Sequence, residues 1–100
     1  MHVPNAFKDL CRLFHQDMMV VNPSAEAAIL EAIAPLHKDQ RQVVLRFLEE
    51  LLSSSHDNGD LRNVWRQTSA QIRFSNSRDL RVWLRLIHRL LEQQTEAGNC

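Results

Sequence analysis

Cys11, His15 and Asp17 lie within seven residues of one another and are side-chain types that ligate metals, relay protons or act as nucleophiles. A zinc site needs four ligands, or three and a water, and no CxxC, HxxxH or HExxH accompanies these three. Cys11 falls on the apolar side of a helical pattern, where a thiol is inert, and no GxSxG is present. Gly59 and Gly98 are the two glycines and are too far apart to form a phosphate-binding loop. Glu49 and Glu50 are adjacent on a helix and point in different directions, which suits a solvated face better than acid–base catalysis. The expectation is a non-enzymatic chain with no cofactor and no metal.

The same stretch carries a second kind of information. In Leu13-Phe14-His15-Gln16-Asp17-Met18, polar residues that are costly to bury stand directly between apolar ones. A helical pattern precedes the stretch and the apolar run Met18 to Val21 follows it. A segment of this kind crosses or enters the core, so its polar groups need partners. The simplest role is a structural latch between the first two helices.

Charge is the other candidate for function. The formal net charge is zero, but its sign is uneven along the chain. Residues 1–59 hold eight acidic against five basic side chains, and residues 60–100 hold seven arginines against four acids. Arg78, Arg81, Arg85 and Arg89 recur at spacings of three and four, on the side of the last helical pattern opposite its apolar residues. Guanidinium groups bind planar anions in a bidentate way and tolerate desolvation better than lysine. Such a stripe is a solvated helix face, a phosphate-binding surface, or a surface for an acidic patch on a protein partner. A zero net charge and the lack of a basic tail disfavour nucleic acid.

These residues must be positioned by helices. Leu, Ala, Glu, Gln and Arg dominate, with two glycines and three prolines, few for an all-β chain. Phe7, Leu10, Cys11 and Phe14 recur at i, i+3, i+4, i+7 behind the Pro4-Asn5 start signal. Asn22-Pro23 interrupts the chain. Ser24 is an N-cap for a helix with Ala28, Ile29, Ala32 and Ile33 inside, stopped near Ala34 by Pro35. The next helix is expected from about Lys38 to Leu52, with Val44, Phe47, Leu48 and Leu51 inside and Val43, Leu45 and Leu52 widening that face. Residues 53–59 read as a loop. Asp60 is expected to cap a fourth helix lined by Leu61, Val64, Trp65, Thr68 and Ile72, although 72–74 also fits a short extended piece. Ser75, Asn76 and Ser77 offer caps for the last helix, in which Leu80, Trp83, Leu84, Ile87, Leu90 and Leu91 face inward. Val82 and Leu86 lie outside both of its stripes, and residues 95–100 are expected to fray.

The whole reads as an all-α, compact single-domain bundle of about five helices spanning residues 1–100. A hydrophobic fraction of 44% supports one modest core. No apolar run approaches the roughly 20 residues needed to span a bilayer. The first residues lack the basic and apolar regions of a secretory signal, and two cysteines make no disulfide framework, so a cytoplasmic location is expected.

Phe14-His15-Gln16-Asp17 resembles the signature near the N-terminus of a small helical family, the immunity proteins of bacterial contact-dependent growth-inhibition systems. The resemblance continues in Ser24-Ala25-Glu26-Ala27-Ala28, in Leu48-Glu49-Glu50-Leu51-Leu52, and in Asp79, Trp83-Leu84 and Ile87, covering about residues 10–92. Met18 stands where the family often has tryptophan, and the glycine and tyrosine often seen before the last helix are absent around residues 69–74. The resemblance implies a protein that binds the C-terminal toxin domain of a sibling cell's secreted protein and neutralises it, with no reaction of its own. Phe14, His15, Gln16 and Asp17 would then serve the fold. Two surfaces are open for the contact: an acidic side built from Glu26, Glu31, Glu49 and Glu50, and the stripe of Arg78, Arg81, Arg85 and Arg89 with Val82 and Leu86. The stripe is favoured because it joins charge to possible exposed apolar area. The alternatives are a small nucleic-acid-binding protein or an adaptor using the same arginine-rich helix, and the oligomeric state is open.

Overall fold

The computed structural model describes residues 3–14, 24–53, 56–70, 72, 74 and 76–98, without the side chains of residues 77 and 95–98. Among them it places five helices and no strand: α1 (Asn5–Cys11), α2 (Ala25–Ile33), α3 (Lys38–Leu51), α4 (Asn58–Arg66) and α5 (Ser77–Gly98). The protein is all-α and folds as one globule, with a radius of gyration of 12.8 Å against about 13 Å for a compact chain of this length. None of these helices is long and apolar enough to cross a membrane.

Local chemistry sets the helix ends. The Ser24 hydroxyl accepts from the Ala27 N–H at 3.1 Å, satisfying one of the orphan donors at the start of α2. At its other end, Arg41 reaches back from α3 and its Nη2 donates to the carbonyls of Ile33 and Ala34, both at 3.2 Å. An arginine here does what a C-terminal glycine does elsewhere: it satisfies the last carbonyls of a helix that Pro35 forbids to continue. α3 starts with the Gln40 side chain accepting from the His37 N–H at 3.0 Å. The Asn76 side chain accepts from the Asp79 N–H at 2.8 Å and so caps α5.

Two expected boundaries are corrected at α4. The helix begins at Asn58, and Asp57, not Asp60, is its cap. Asp57 Oδ1 accepts from the Asp60 N–H at 2.9 Å, and Asp60 Oδ2 accepts in return from the Asp57 N–H at 3.2 Å. This reciprocal pair is a capping box, so Asp60 belongs to the first turn, where the helix dipole favours its charge. The helix also ends at Arg66, before Thr68 and Ile72. The Thr68 hydroxyl donates to the Trp65 carbonyl at 2.6 Å, and the amides of Gln67 and Thr68 bond three residues back, which closes the last turn. At the other end of the chain, α5 extends through Gly98.

α5 is the element around which the others gather. It packs against α2, α3 and α4, while α1 packs on α3. Its inner stripe of Leu80, Trp83, Leu84, Ile87, Leu90 and Leu91 is buried as the spacing requires. Against it lie Ile29 and Ile33 from α2, Leu48 and Leu51 from α3, and Leu61 and Val64 from α4, with Phe7 and Leu10 completing the core from α1.

Phe14, Trp65, Phe74 and Trp83 form a closed ring of aromatic contacts. Centroid distances around it are 6.2 Å (Phe14–Trp65), 5.7 Å (Trp65–Phe74), 5.8 Å (Phe74–Trp83) and 5.4 Å (Trp83–Phe14). These separations suit edge-to-face and offset packing, worth about 0.5–1.5 kcal/mol per pair beyond area burial. Three of the four rings come from outside the last helix, so the quartet ties the chain around residue 14 and the connection before α5 to one point.

Candidate functional site

The residues singled out in the sequence separate into groups. Of the signature, Phe14 is fully buried and belongs to the aromatic quartet; His15, Gln16 and Asp17 lie outside the described residues. Cys11 is buried in the core. Desolvation pushes its thiol up to about 12, opposed in part by a hydrogen bond with the Thr68 side chain, so at neutral pH it is a protonated, apolar group.

The arginine stripe is not uniform. Arg81 sits on the flank that faces α4: its Nε donates to the Asn58 side chain at 2.8 Å and its Nη2 to the His56 carbonyl at 3.3 Å. It thereby pins the start of α4 to α5. Arg89 pairs with Glu26 of α2 at 3.3 Å, with both side chains more than half exposed. Arg78 and Arg85 are exposed and meet no acidic partner among the described residues. Val82 lies between them on the helix, 59% exposed, whereas Leu86 is half-buried against the core. What the stripe presents is therefore a cationic–apolar–cationic strip, Arg78–Val82–Arg85, with Arg89 beyond it held by an ion pair.

The acidic surface that competed with this stripe is partly consumed. Glu26 is taken by Arg89, and Glu49 lies 3.3 Å from the Nε2 of His88. His88 also faces Glu92, one turn further along α5, at 3.9 Å. Ligand atoms of Glu49, His88 and Glu92 all lie within 4.8 Å of one another, a donor set of one imidazole and two carboxylates that could hold a metal ion. The sequence shows the His88–Glu92 spacing of four, but Glu49 is 39 residues from His88 and only the packing of α3 on α5 brings it in.

A surface groove of about 460 Å³ opens beside α4. The polar side chains of Arg62, Arg66, Thr68 and Asn76 line it together with Trp65, Ala70, Ile72, Phe74 and Leu80. The groove exists because α4 stops at Arg66 and the chain folds back beside it, where the Trp65 indole donates to the Ile72 carbonyl at 2.9 Å. The helical spacing of Thr68 and Ile72 hides it, and of the two readings open for 72–74 the described residues, 72 and 74, lie outside any helix.

No protein-family model, curated protein or solved structure matches this chain.

Proposed function

We propose that this chain is an immunity protein that binds the toxin domain of a contact-dependent growth-inhibition system, or of a related polymorphic toxin, and acts by occupancy alone. The supporting observation is the outer strip of α5. Arg78 and Arg85 are exposed without an ion-pair partner among the described residues, and Val82 stands 59% exposed between them. Cationic groups around an apolar contact suit an acidic surface with an apolar centre, and arginine is enriched among residues that dominate interface energies. The strip rides on a helix packed against three others, so presenting it costs little ordering on binding.

Both surfaces are partly engaged within the chain, Glu26 and Glu49 on one and Arg81 and Arg89 on the other, and the strip is favoured because Val82 gives it an exposed apolar centre. The signature resemblance supplies the class of partner, and Phe14 in the aromatic quartet agrees with a fold role for its first residue. Tight neutralisation is within reach of an ordinary interface of about 800 Å² per partner when a few anchors are desolvated.

The test is co-purification with the C-terminal toxin domain of any large secreted protein found encoded beside this chain, followed by titration calorimetry. Wild-type protein is expected to bind one to one and to rescue cells expressing the domain. The Arg78→Asp/Arg85→Asp double reversal is expected to weaken binding at least tenfold with an unchanged helical spectrum. Undiminished affinity in that variant would remove the surface assignment, and absence of any complex would remove the function.

A further inference from the structure

We infer that Glu49, His88 and Glu92 form a binding site for a divalent transition ion of the zinc type, stapling α3 to α5. This site is independent of the partner-binding reading above.

The residue types select the ion. Imidazole suits zinc and its first-row neighbours, and two carboxylate oxygens complete an N/O/O set that leaves a fourth position for water. An all-oxygen site would point to calcium or magnesium, but His88 supplies a nitrogen. The geometry is close to what the ion requires. Zinc bonds to nitrogen and oxygen of about 2.0–2.2 Å place tetrahedral ligand atoms roughly 3.3–3.6 Å apart. His88 Nε2 lies 3.3 Å from Glu49 Oε1 and 3.9 Å from Glu92 Oε2, and all three ligand atoms fall within 4.8 Å. Both glutamate side chains are more than half exposed, which leaves them room to close the remainder.

The backbone makes the arrangement stiff where it matters. His88 and Glu92 are four apart on α5, one above the other on the same face. The His88 side chain is 23% exposed and thus held by its surroundings, while Glu49 and Glu92 are 59% and 56% exposed and leave the site open to solvent. Arg46 and Arg85, each three residues from a ligand on its own helix, oppose a cation. With one protein nitrogen and no thiolate, the site binds more weakly than a structural Cys/His centre.

Because Glu49 comes from α3 and the other two ligands from α5, the unfolded chain does not hold the three together. Binding must therefore raise the stability of the fold.

The experiment is thermal unfolding and calorimetric titration of the full chain with zinc chloride after removal of adventitious metal, with magnesium chloride as the comparison. A Cys100→Ser background removes the terminal thiol as a competing ligand. Expected are one zinc per chain and a melting temperature that climbs with zinc and not with magnesium. His88→Ala, and separately Glu49→Gln and Glu92→Gln, should each weaken zinc binding at least tenfold. Cobalt chloride should give a visible spectrum of low coordination number that these variants lose. The glutamine variants alter exposed side chains and keep the test alive should His88→Ala fail to fold. Zinc binding that persists unchanged in all three variants, or no rise in melting temperature, would overturn the assignment.

Discussion

The indole N–H of Trp65 donates to the carbonyl oxygen of Ile72 at 2.9 Å. This one bond joins the last turn of α4 to the chain that leaves it, and so sets the groove flanked by Arg62 and Arg66. Trp65→Phe keeps an aromatic ring in the quartet but orphans that carbonyl. A loss of about 1 kcal/mol is expected, read as a lower urea midpoint with an unchanged slope. A variant as stable as wild type would mean that the bond contributes nothing.

Phe14, the one signature residue among the described residues, is fully buried and in contact with both Trp65 and Trp83. Phe14→Ala is expected to cost about 3–5 kcal/mol, because it removes a large ring and leaves a cavity between two rigid indoles. Phe14→Leu should cost less. If the signature serves the fold, as proposed, partner affinity per folded molecule should stay near wild type in the leucine variant, measured by calorimetry corrected for the folded fraction.

Arg81 and Arg85 look equivalent on the helix but should behave differently. Arg81→Ala removes the bonds to Asn58 and the His56 carbonyl, so it should lower stability by about 1 kcal/mol and leave partner affinity unchanged. Arg85→Ala should leave the melt within about 0.5 kcal/mol and weaken binding, chiefly through a slower, salt-sensitive association rate. Stopped-flow association at two salt concentrations separates the two cases.

Cys11 gives a pH prediction with a definite sign. Its folded value of about 12 lies above the ordinary thiol value of 9.0. The unfolded chain thus loses this proton first as pH rises. The contribution to stability is whole below about pH 9 and declines between there and 12, with a slope of up to about 1.4 kcal/mol per pH unit. The chain has no tyrosine, and Lys8 and Lys38 are its lysines, so few other groups titrate in that window. Urea midpoints from pH 8 to 11 should fall more steeply for wild type than for Cys11→Ala, and equal slopes would contradict the burial argument. In a Cys100→Ser background, Cys11 should resist a thiol reagent until denaturant is added.

The bundle itself was legible because its signals are local. Ser24, Pro35 and Asn76 act within three or four residues of themselves, and the apolar spacing of α5 predicts each buried position that the fold shows. At both ends of α4 the local signals compete, and the helix runs from Asn58 to Arg66. Asp57 and Asp60 are both good caps, and the choice between them depends on which arrangement satisfies both backbone amides. Thr68 and Ile72 continue a helical spacing that the Thr68 hydroxyl breaks by bonding the Trp65 carbonyl. The surface was legible only as a pattern. The periodicity of Arg78 to Arg89 carries no sign that Arg81 would be spent on α4 and Arg89 on α2, since those partners lie 23 and 63 residues away.

The aromatic quartet makes the chain its own optical gauge. Trp65 and Trp83 are its two tryptophans, and without tyrosine they alone account for its near-ultraviolet emission. Both rest on Phe14, so any event that loosens the chain at that residue should redden or quench the native fluorescence, and unfolding can be followed there without an attached dye.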